Sequence, residues 1–377
     1  MSLKVGIVGC GGIAGVHARG YKSCTDVEIA ACCDLQQERA TTFAAAHGIA
    51  KTYLNYKEMY ESEKLDVISV CTPNYAHSAP TIDALNLDMH VLCEKPIAMN
   101  AAEATTMVEA ARASKGLLTI GHHFRFLPFT QFLKRMIDAG DLGSIYFGRS
   151  LALRRRGIPG WGAFHIKEKS GGGPLIDIGV HALDLIMWLM GSPQPATVSG
   201  SVYRRFGDRK DYHSPNTDYK REEYDVEDFA CGLVKFTNGA TLILEASWAG
   251  HLPDMEIFPQ TLLGDKGGAV VNAFGGTDAP LKVMMSREEA LVDVTPHAFK
   301  QVDAHVEEVK YWISCVRGEK PVLVKPEESL NVQRVIDGVY ESSDTGHEIC
   351  LPALLPDQVV ESPHGSRGKA IEKALAG

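Results

Sequence analysis

Apolar residues in the first 121 positions gather in short runs separated by longer amphipathic stretches. Residues 4–8, 27–33, 65–71, 90–93 and 117–121 read as strands. The stretches to about Ser23, 36–47, 76–87 and 100–115 carry helical spacing; within 36–47, Ala40, Phe43 and Ala44 share a face. This alternation predicts a parallel sheet with helices on both faces, whose ligands lie beyond the C-terminal strand ends. After residue 122 the period changes. Residues 129–139 read as helix and 145–156 as strand. Residues 197–205, 228–236, 240–247, 255–263 and 269–271 are strand-like, with a hairpin signal at Thr237-Asn238-Gly239. Helical spacing returns over 301–317 and 327–343. The pattern predicts an α/β chain: a parallel-sheet domain over 1–122, an α+β domain with a large, mostly antiparallel sheet over 123–355, and a polar tail over 356–377, in which 369–376 has helical spacing.

One segment, residues 171–191 (GGGPLIDIGVHALDLIMWLMG), departs from an ordinary amphipathic helix. At about 100° per residue, Leu175, Ile178, Ala182, Leu185 and Leu189 form one apolar face. Ile176, Val180, Leu183 and Met187 form another. Such a helix is normally buried. Between the faces runs a narrow stripe of Asp177, His181, Asp184 and Trp188. Buried ionisable groups are costly unless paired or used, so the stripe is either a structural network around a core histidine or part of a site.

Composition narrows the classes. Hydrophobic residues make up 45% and charged residues 23%, ordinary for a soluble globular protein. A formal charge of −9 disfavours nucleic acid and anionic membrane surfaces as partners. No apolar run reads as a membrane span and no secretory leader is evident. The nine cysteines are scattered and contain no C-x-x-C, which predicts reduced thiols in a cytoplasmic protein. The charged stretch 209–225 reads as a surface loop or an arm to a partner subunit.

The first strand runs into Gly9-Cys-Gly11-Gly12-Ile-Ala14, then a helix: the dinucleotide-binding pattern in the context it needs. Gly9 permits the tight turn, Gly11 and Gly12 let backbone approach a pyrophosphate, Ala14 allows close packing, and the helix start offers N–H groups to phosphate. Asp34 ends the second strand, where a carboxylate binds both adenosine ribose hydroxyls and repels a 2′-phosphate. The next residues, Leu35 and Gln36, supply no arginine, so NAD is expected rather than NADP. Thr72, Pro73 and Asn74, and Glu94, Lys95 and Pro96, fall at further strand ends around the same cleft. A lysine there can donate to a substrate oxygen.

Taken together, GIVGCGGIA, Asp34, CTPNYAH, CEKPIA, GHHFRFLP and the 171–191 motif resemble the Gfo/Idh/MocA family of NAD(P)-dependent oxidoreductases, in order from residue 3 to about 352. The resemblance implies a Rossmann domain and a C-terminal domain whose open sheet forms homodimers or homotetramers, with the helix near 327–343 packing back on the Rossmann domain. It implies cofactor contacts at Gly9, Gly11, Ala14 and Asp34, a loop over the nicotinamide half from Thr72, Pro73, Asn74 and His77, and Glu94 beside the cofactor ribose. Lys95 corresponds to the lysine near the reacting carbon, Asp177 to the substrate-binding acid and His181 to the catalytic histidine. The helix at 171–191 then reads as the substrate half of a site shared between domains.

The chemistry expected is NAD-dependent hydride transfer at a secondary alcohol or ketone of a sugar, sugar derivative or cyclitol. His181 is the acid/base and Lys95 the electrostatic partner, roles that could be exchanged; Asp177 accepts a substrate hydroxyl. Asp184 either orients His181 or is structural. Arg125 and Trp161 are further substrate candidates, Trp161 by stacking on a sugar face or else as a loop anchor. Arg154 and Arg156 either meet an anionic group or are solvated, and His165 can reach the pocket from the loop of Trp161. His122 and His123 do not have metal-ligand spacing, and no metal is expected. Two other classes are a redox-neutral, NAD-dependent glycoside-cleaving enzyme and a non-enzymatic NAD-binding regulator.

Overall fold

The computed structural model describes residues 2–213, 219–274 and 279–352. The polar tail from 356 and its helical stretch lie outside the described residues. The described residues form two compact units, one from within 2–126 and 302–333, the other from within 127–301 and 334–352.

The first unit holds strands β1 (Leu3–Val8), β2 (Val27–Cys33), β3 (Lys51–Tyr53), β4 (Val67–Val70), β5 (His90–Glu94) and β6 (Leu118–Gly121). They pair in the order β3-β2-β1-β4-β5-β6, every pairing parallel. Helices α1 (Gly12–Lys22), α2 (Gln37–His47), α3 (Tyr56–Ser62), α4 (Ser78–Asn86) and α5 (Ala101–Ala113) connect them. All four residues of β4 are buried, as expected of a central parallel strand covered on both faces. The order reverses direction between β1 and β4. In such sheets the crevice beyond that switch point takes the ligand, and the glycine turn after β1 lies there.

The second unit holds α6 (Pro128–Asp138), β7 (Ile145–Arg154), α7 (Lys167–Ser170), α8 (Val180–Leu189), β8 (Pro195–Tyr203), β9 (Phe229–Phe236), β10 (Thr241–Ser247), β11 (Glu256–Ile257), β12 (Pro259–Gly264), β13 (Gly267–Asn272), β14 (Leu281–Arg287), β15 (Ala290–Val294) and β16 (Ile349–Cys350). Its sheet runs β15-β14-β13-β12-β7-β10-β9-β8-β16, with β11 also on β7. Every pairing is antiparallel except β7 with β10. The sequence pattern omits β14 and β15. The edge strand β15 has no buried residue, so no apolar alternation marks it.

By length and composition the stretch 167–189 could cross a bilayer, where the sequence predicts no membrane span; its apolar part is 94% buried within the fold, and the glycines at 171–173 separate α7 from the buried segment that ends in α8.

Two further helices, α9 (Ala304–Val316) and α10 (Pro326–Thr345), precede β16. The sequence pattern puts α9 in the C-terminal domain. The structure instead gives residues 302–333 to the first unit. The reason is apolar: Val309, Trp312 and Ile313 join the core of α1 and β1, and a Cβ at Gly20 would lie 2.6 Å from Val309 Cβ. Thr119 Oγ1 donates to the Val324 carbonyl at 3.0 Å, and Arg112 pairs with Glu327 at 3.0 Å.

Candidate active site

The glycine turn fits a dinucleotide. Gly9 has φ +90°, and a Cβ there would lie 2.6 Å from the Cys71 carbonyl oxygen. A Cβ at Gly11 or Gly12 would meet nothing within 4 Å, so backbone faces open space at the start of α1. The first turn of α1 carries no acidic residue to compete with a phosphate, and Ala14 is fully buried beneath it. Asp34 stands beside the turn, its carboxylate accepting from Cys10 N at 3.0 Å and Gln36 N at 2.9 Å. The second bond is a local turn bond; the first ties the acid to the phosphate loop. The neighbouring Leu35 is 84% exposed and offers no charge.

At the next strand ends, Thr72 Oγ1 donates to the Ala76 carbonyl at 2.8 Å and Asn74 opens a short 3₁₀ turn after Pro73. His77 is 1% exposed, with Nδ1 2.7 Å from the Pro96 carbonyl and Nε2 2.9 Å from the Thr72 carbonyl. Burial lowers its pKa against the pull of both carbonyls. His77 is therefore a brace between the loop at 72 and the loop carrying Lys95, rather than a group facing the cleft.

Glu94 is buried and tied to a residue the sequence reading passes over. His17 is fully buried on α1, with Nε2 2.8 Å from Glu94 Oε1 and Nδ1 2.6 Å from Ser69 Oγ. Cys71 Sγ and Tyr21 complete the cluster. Burial opposes ionisation of both partners, yet Glu94 is held down to about 2 by the hydrogen bond and charge of His17. The His17 ring is raised well above its ordinary value by Cys71 and Glu94, against burial. The pair is thus an ion pair inside the unit. A signal was readable: His17 shares the buried stripe of α1 with Ala14, Ala18 and Tyr21. Lys95 follows directly, its N–H donating to Glu94 Oε2 at 3.2 Å.

Arg125 does not fit its expected substrate role. It is 1% exposed, donates to the Leu323 carbonyl at 3.2 Å, and forms a buried ion pair with Glu328. His123 stacks on His305 of α9, ring centroids 3.7 Å apart. Burial and the facing ring hold His123 well below its ordinary pKa. Among the described residues no group of three or more His, Cys, Asp or Glu side chains is placed to hold a metal.

In the second unit the expected helix begins only after the three glycines and contains a π turn. Gly171 is left-handed with φ +86° and ends α7; Leu175–Gly179 is a π-helical turn that leads into α8. Such turns occur often at functional sites. Asp177 lies in this turn, 9% exposed, and accepts from Trp248 Nε1 at 3.3 Å. Trp248, fully buried just after β10, is another contributor the sequence reading missed. His181 lies in the first turn of α8, and its ring meets Phe274 edge-on at 6.4 Å. Asp184 is 1% exposed and Trp188 is buried.

Trp161 is 61% exposed, which excludes the loop-anchor reading and leaves its indole face open. Arg154 pairs with Glu256 at 3.4 Å, and Arg156 donates to the Gly250 carbonyl at 2.8 Å while covering the Tyr212 ring. Both are committed within the fold. His165 is 7% exposed against Tyr219 and Glu223. The 209–225 stretch is no free arm over its described residues, because Tyr212 and Tyr224 are buried.

Residues 3–122 match the NAD-binding Rossmann fold of the Gfo/Idh/MocA oxidoreductase family, and residues 134–351 match that family's C-terminal alpha/beta domain. A D-glucoside 3-dehydrogenase of Escherichia coli K12 is 34% identical over 353 residues, covering 93% of this chain and 97% of its own. A myo-inositol 2-dehydrogenase of Thermotoga maritima is 24% identical, covering 86% of this chain and 92% of its own. A levoglucosan dehydrogenase solved in complex with NADH shares the fold with a TM-score of 0.81 at 19% identity, covering 94% of this chain and all of its own.

Proposed function

The chain belongs to the Gfo/Idh/MocA oxidoreductase family, and from that premise we propose that it is an NAD-dependent dehydrogenase oxidising a secondary hydroxyl of a sugar, sugar derivative or cyclitol, a D-glucoside being the first substrate to test. The observation that carries the reading is an acid and a histidine, Asp177 and His181, set four residues apart where a π turn meets a buried, mostly apolar helix.

Oxidising a secondary alcohol removes a hydroxyl proton and a hydride from one carbon. Bound NAD supplies the hydride acceptor. His181 takes the hydroxyl proton, as an imidazole can near neutral pH. Lys95 donates to the same oxygen and stabilises its developing negative charge. Asp177, oriented by the Trp248 indole, accepts from a neighbouring hydroxyl. Glu94 accepts from the cofactor ribose, and its pairing with His17 keeps it an acceptor. Gly11, Gly12 and the start of α1 hold the pyrophosphate.

A screen of glucosides, polyols and inositols for NADH absorbance tests the reading. NADH formed with at least one of them is expected. Product formed without net NADH assigns redox-neutral chemistry instead, and NAD binding with no product from any of them overturns the proposal.

Asp34 supports NAD over NADP, because its charge repels a 2′-phosphate and the residues directly after it, Leu35 and Gln36, supply no cation. Asp34→Ala is expected to raise the NAD dissociation constant by about 10- to 100-fold, the loss of a charged hydrogen-bond acceptor, and to narrow the preference for NAD. Equal affinity for both cofactors in the unaltered protein would sink this assignment. Trp161→Ala is expected to raise the substrate KM by about 2- to 10-fold through lost stacking, with kcat little changed; an unchanged KM removes Trp161 from the site.

The cysteines are unpaired, which fits a reducing cytoplasm. Tyr146, Leu233, Ile243 and Leu263 expose apolar side chains on neighbouring strands β7, β9, β10 and β12, which supports assembly into homodimers or homotetramers through this sheet.

A further inference from the structure

The three glycines before the π turn have a specific neighbour. Glu227, 6% exposed, lies just ahead of β9, and its carboxylate reaches the start of the helical segment. Oε2 accepts from Gly173 N at 2.8 Å and Oε1 from Leu175 N at 3.1 Å. Pro174, between them, has no N–H to satisfy. Tyr340 of α10 donates its hydroxyl to Oε1 at 2.9 Å. The first N–H groups of a helix have no partner within it, and a carboxylate is favoured at that end.

The glycines are what allow this approach. A Cβ at Gly173 would lie 2.1 Å from the Glu227 carbonyl oxygen, and one at Gly172 would lie 2.0 Å from Tyr340 Oη. The neighbouring residue continues the arrangement. The Asp228 carbonyl accepts from Trp248 N at 3.0 Å, and the Trp248 indole donates to Asp177. The consecutive pair Glu227-Asp228 therefore touches the path to Asp177 at two points: Glu227 at the helix start, Asp228 through Trp248.

We propose that Glu227 and Tyr340 form a clamp that sets the position of the Leu175–Leu189 segment, making Glu227 a positioning residue for Asp177 and His181. It touches neither substrate nor cofactor. The clamp rests on the dehydrogenase reading for its catalytic consequence but not for its structural one, and the test separates the two.

In Glu227→Gln the side chain keeps its shape but has one acceptor oxygen for two N–H groups. Hydrogen exchange measured by mass spectrometry on the full-length protein should show the peptide covering 171–181 exchanging at least about tenfold faster, as a helix end loses its partners, with peptides of the parallel-sheet unit unchanged. With the best substrate of the NADH screen, kcat should fall by about 10- to 100-fold, the effect of a small misplacement of catalytic groups. KM should stay within about threefold and the NAD dissociation constant within about twofold, since truly positional losses appear in kcat.

Faster exchange with kcat unchanged overturns the positioning role. A lower kcat with exchange unchanged overturns the clamp. Should Glu227→Gln fail to fold, Tyr340→Phe removes the hydroxyl alone and is read by the same two measurements at smaller amplitude. A wild-type protein that turns over nothing refutes the dehydrogenase reading, while exchange at 171–181 still decides the clamp.

Discussion

Replacing His181 by asparagine is expected to lower kcat for alcohol oxidation by about 10²- to 10⁴-fold, the usual cost of losing a positioned general base. The NAD dissociation constant should not move, because the glycine turn, Asp34 and Glu94 all belong to the first unit and His181 to the second. Lys95→Ala should cost about 10²- to 10³-fold, comparable to removing one donor from a developing oxyanion. The pH profile assigns the roles. In the wild type kcat rises with pH as the proton acceptor loses its proton, and that limb disappears in the variant that removes the acceptor. A limb lost in Lys95→Ala and kept in His181→Asn exchanges the two assignments. Both variants within tenfold of wild type would sink the mechanism.

The second large effect concerns stability. His17→Leu leaves the Glu94 carboxylate buried without its cation, and breaking a buried pair on one side costs about 3–5 kcal/mol. The melting temperature should fall by on the order of 10 °C. The double variant His17→Leu/Glu94→Gln should recover more than half of that loss, because removing both charges removes the uncompensated one. A single variant that melts within 2 °C of wild type, roughly the shift of half a kcal/mol, shows that the pair contributes nothing.

The pair also has a pH signature. Glu94 is lowered, so its contribution is present above its ordinary 4.5 and lost as pH falls through about 2. His17 is raised, so its contribution is full below its ordinary 6.5 and lost as pH rises through its raised value. The stability difference between wild type and His17→Leu should therefore be largest between about 4.5 and 6.5. The charged and titratable groups around the pair are Cys71, Tyr21, Lys95 and His305.

The helix at 171–191 shows what could be read without coordinates. Its apolar circumference and its Asp177–His181 stripe are properties of consecutive residues, so both the burial and the candidate site were legible. The π turn was not, because regular helical periodicity carries no mark of an inserted residue. Arg125 illustrates the opposite failure. An arginine after a strand end reads as a ligand contact, yet its carboxylate partner Glu328 is 203 residues away. Trp161 is ambiguous in sequence for a related reason: an aromatic residue among glycines serves as anchor or platform, and only its exposure distinguishes them.

The parallel-sheet domain, the glycine turn and the mostly antiparallel second domain are legible in the sequence, as are Asp34, Asp177 and His181 as candidates, because each is written in neighbours or in a fixed short spacing. Coordinates are needed to assign α9 to its unit, to set His77 between two loop carbonyls, to pair His17 with Glu94 and to place Glu227 at the start of the Leu175–Leu189 segment. These depend on hydrogen bonds and apolar contacts between distant segments. His17 and Glu94 are 77 residues apart, and Glu227 and Gly173 are 54 apart; no local periodicity encodes a partner at that distance, and burial then makes the pairing obligatory.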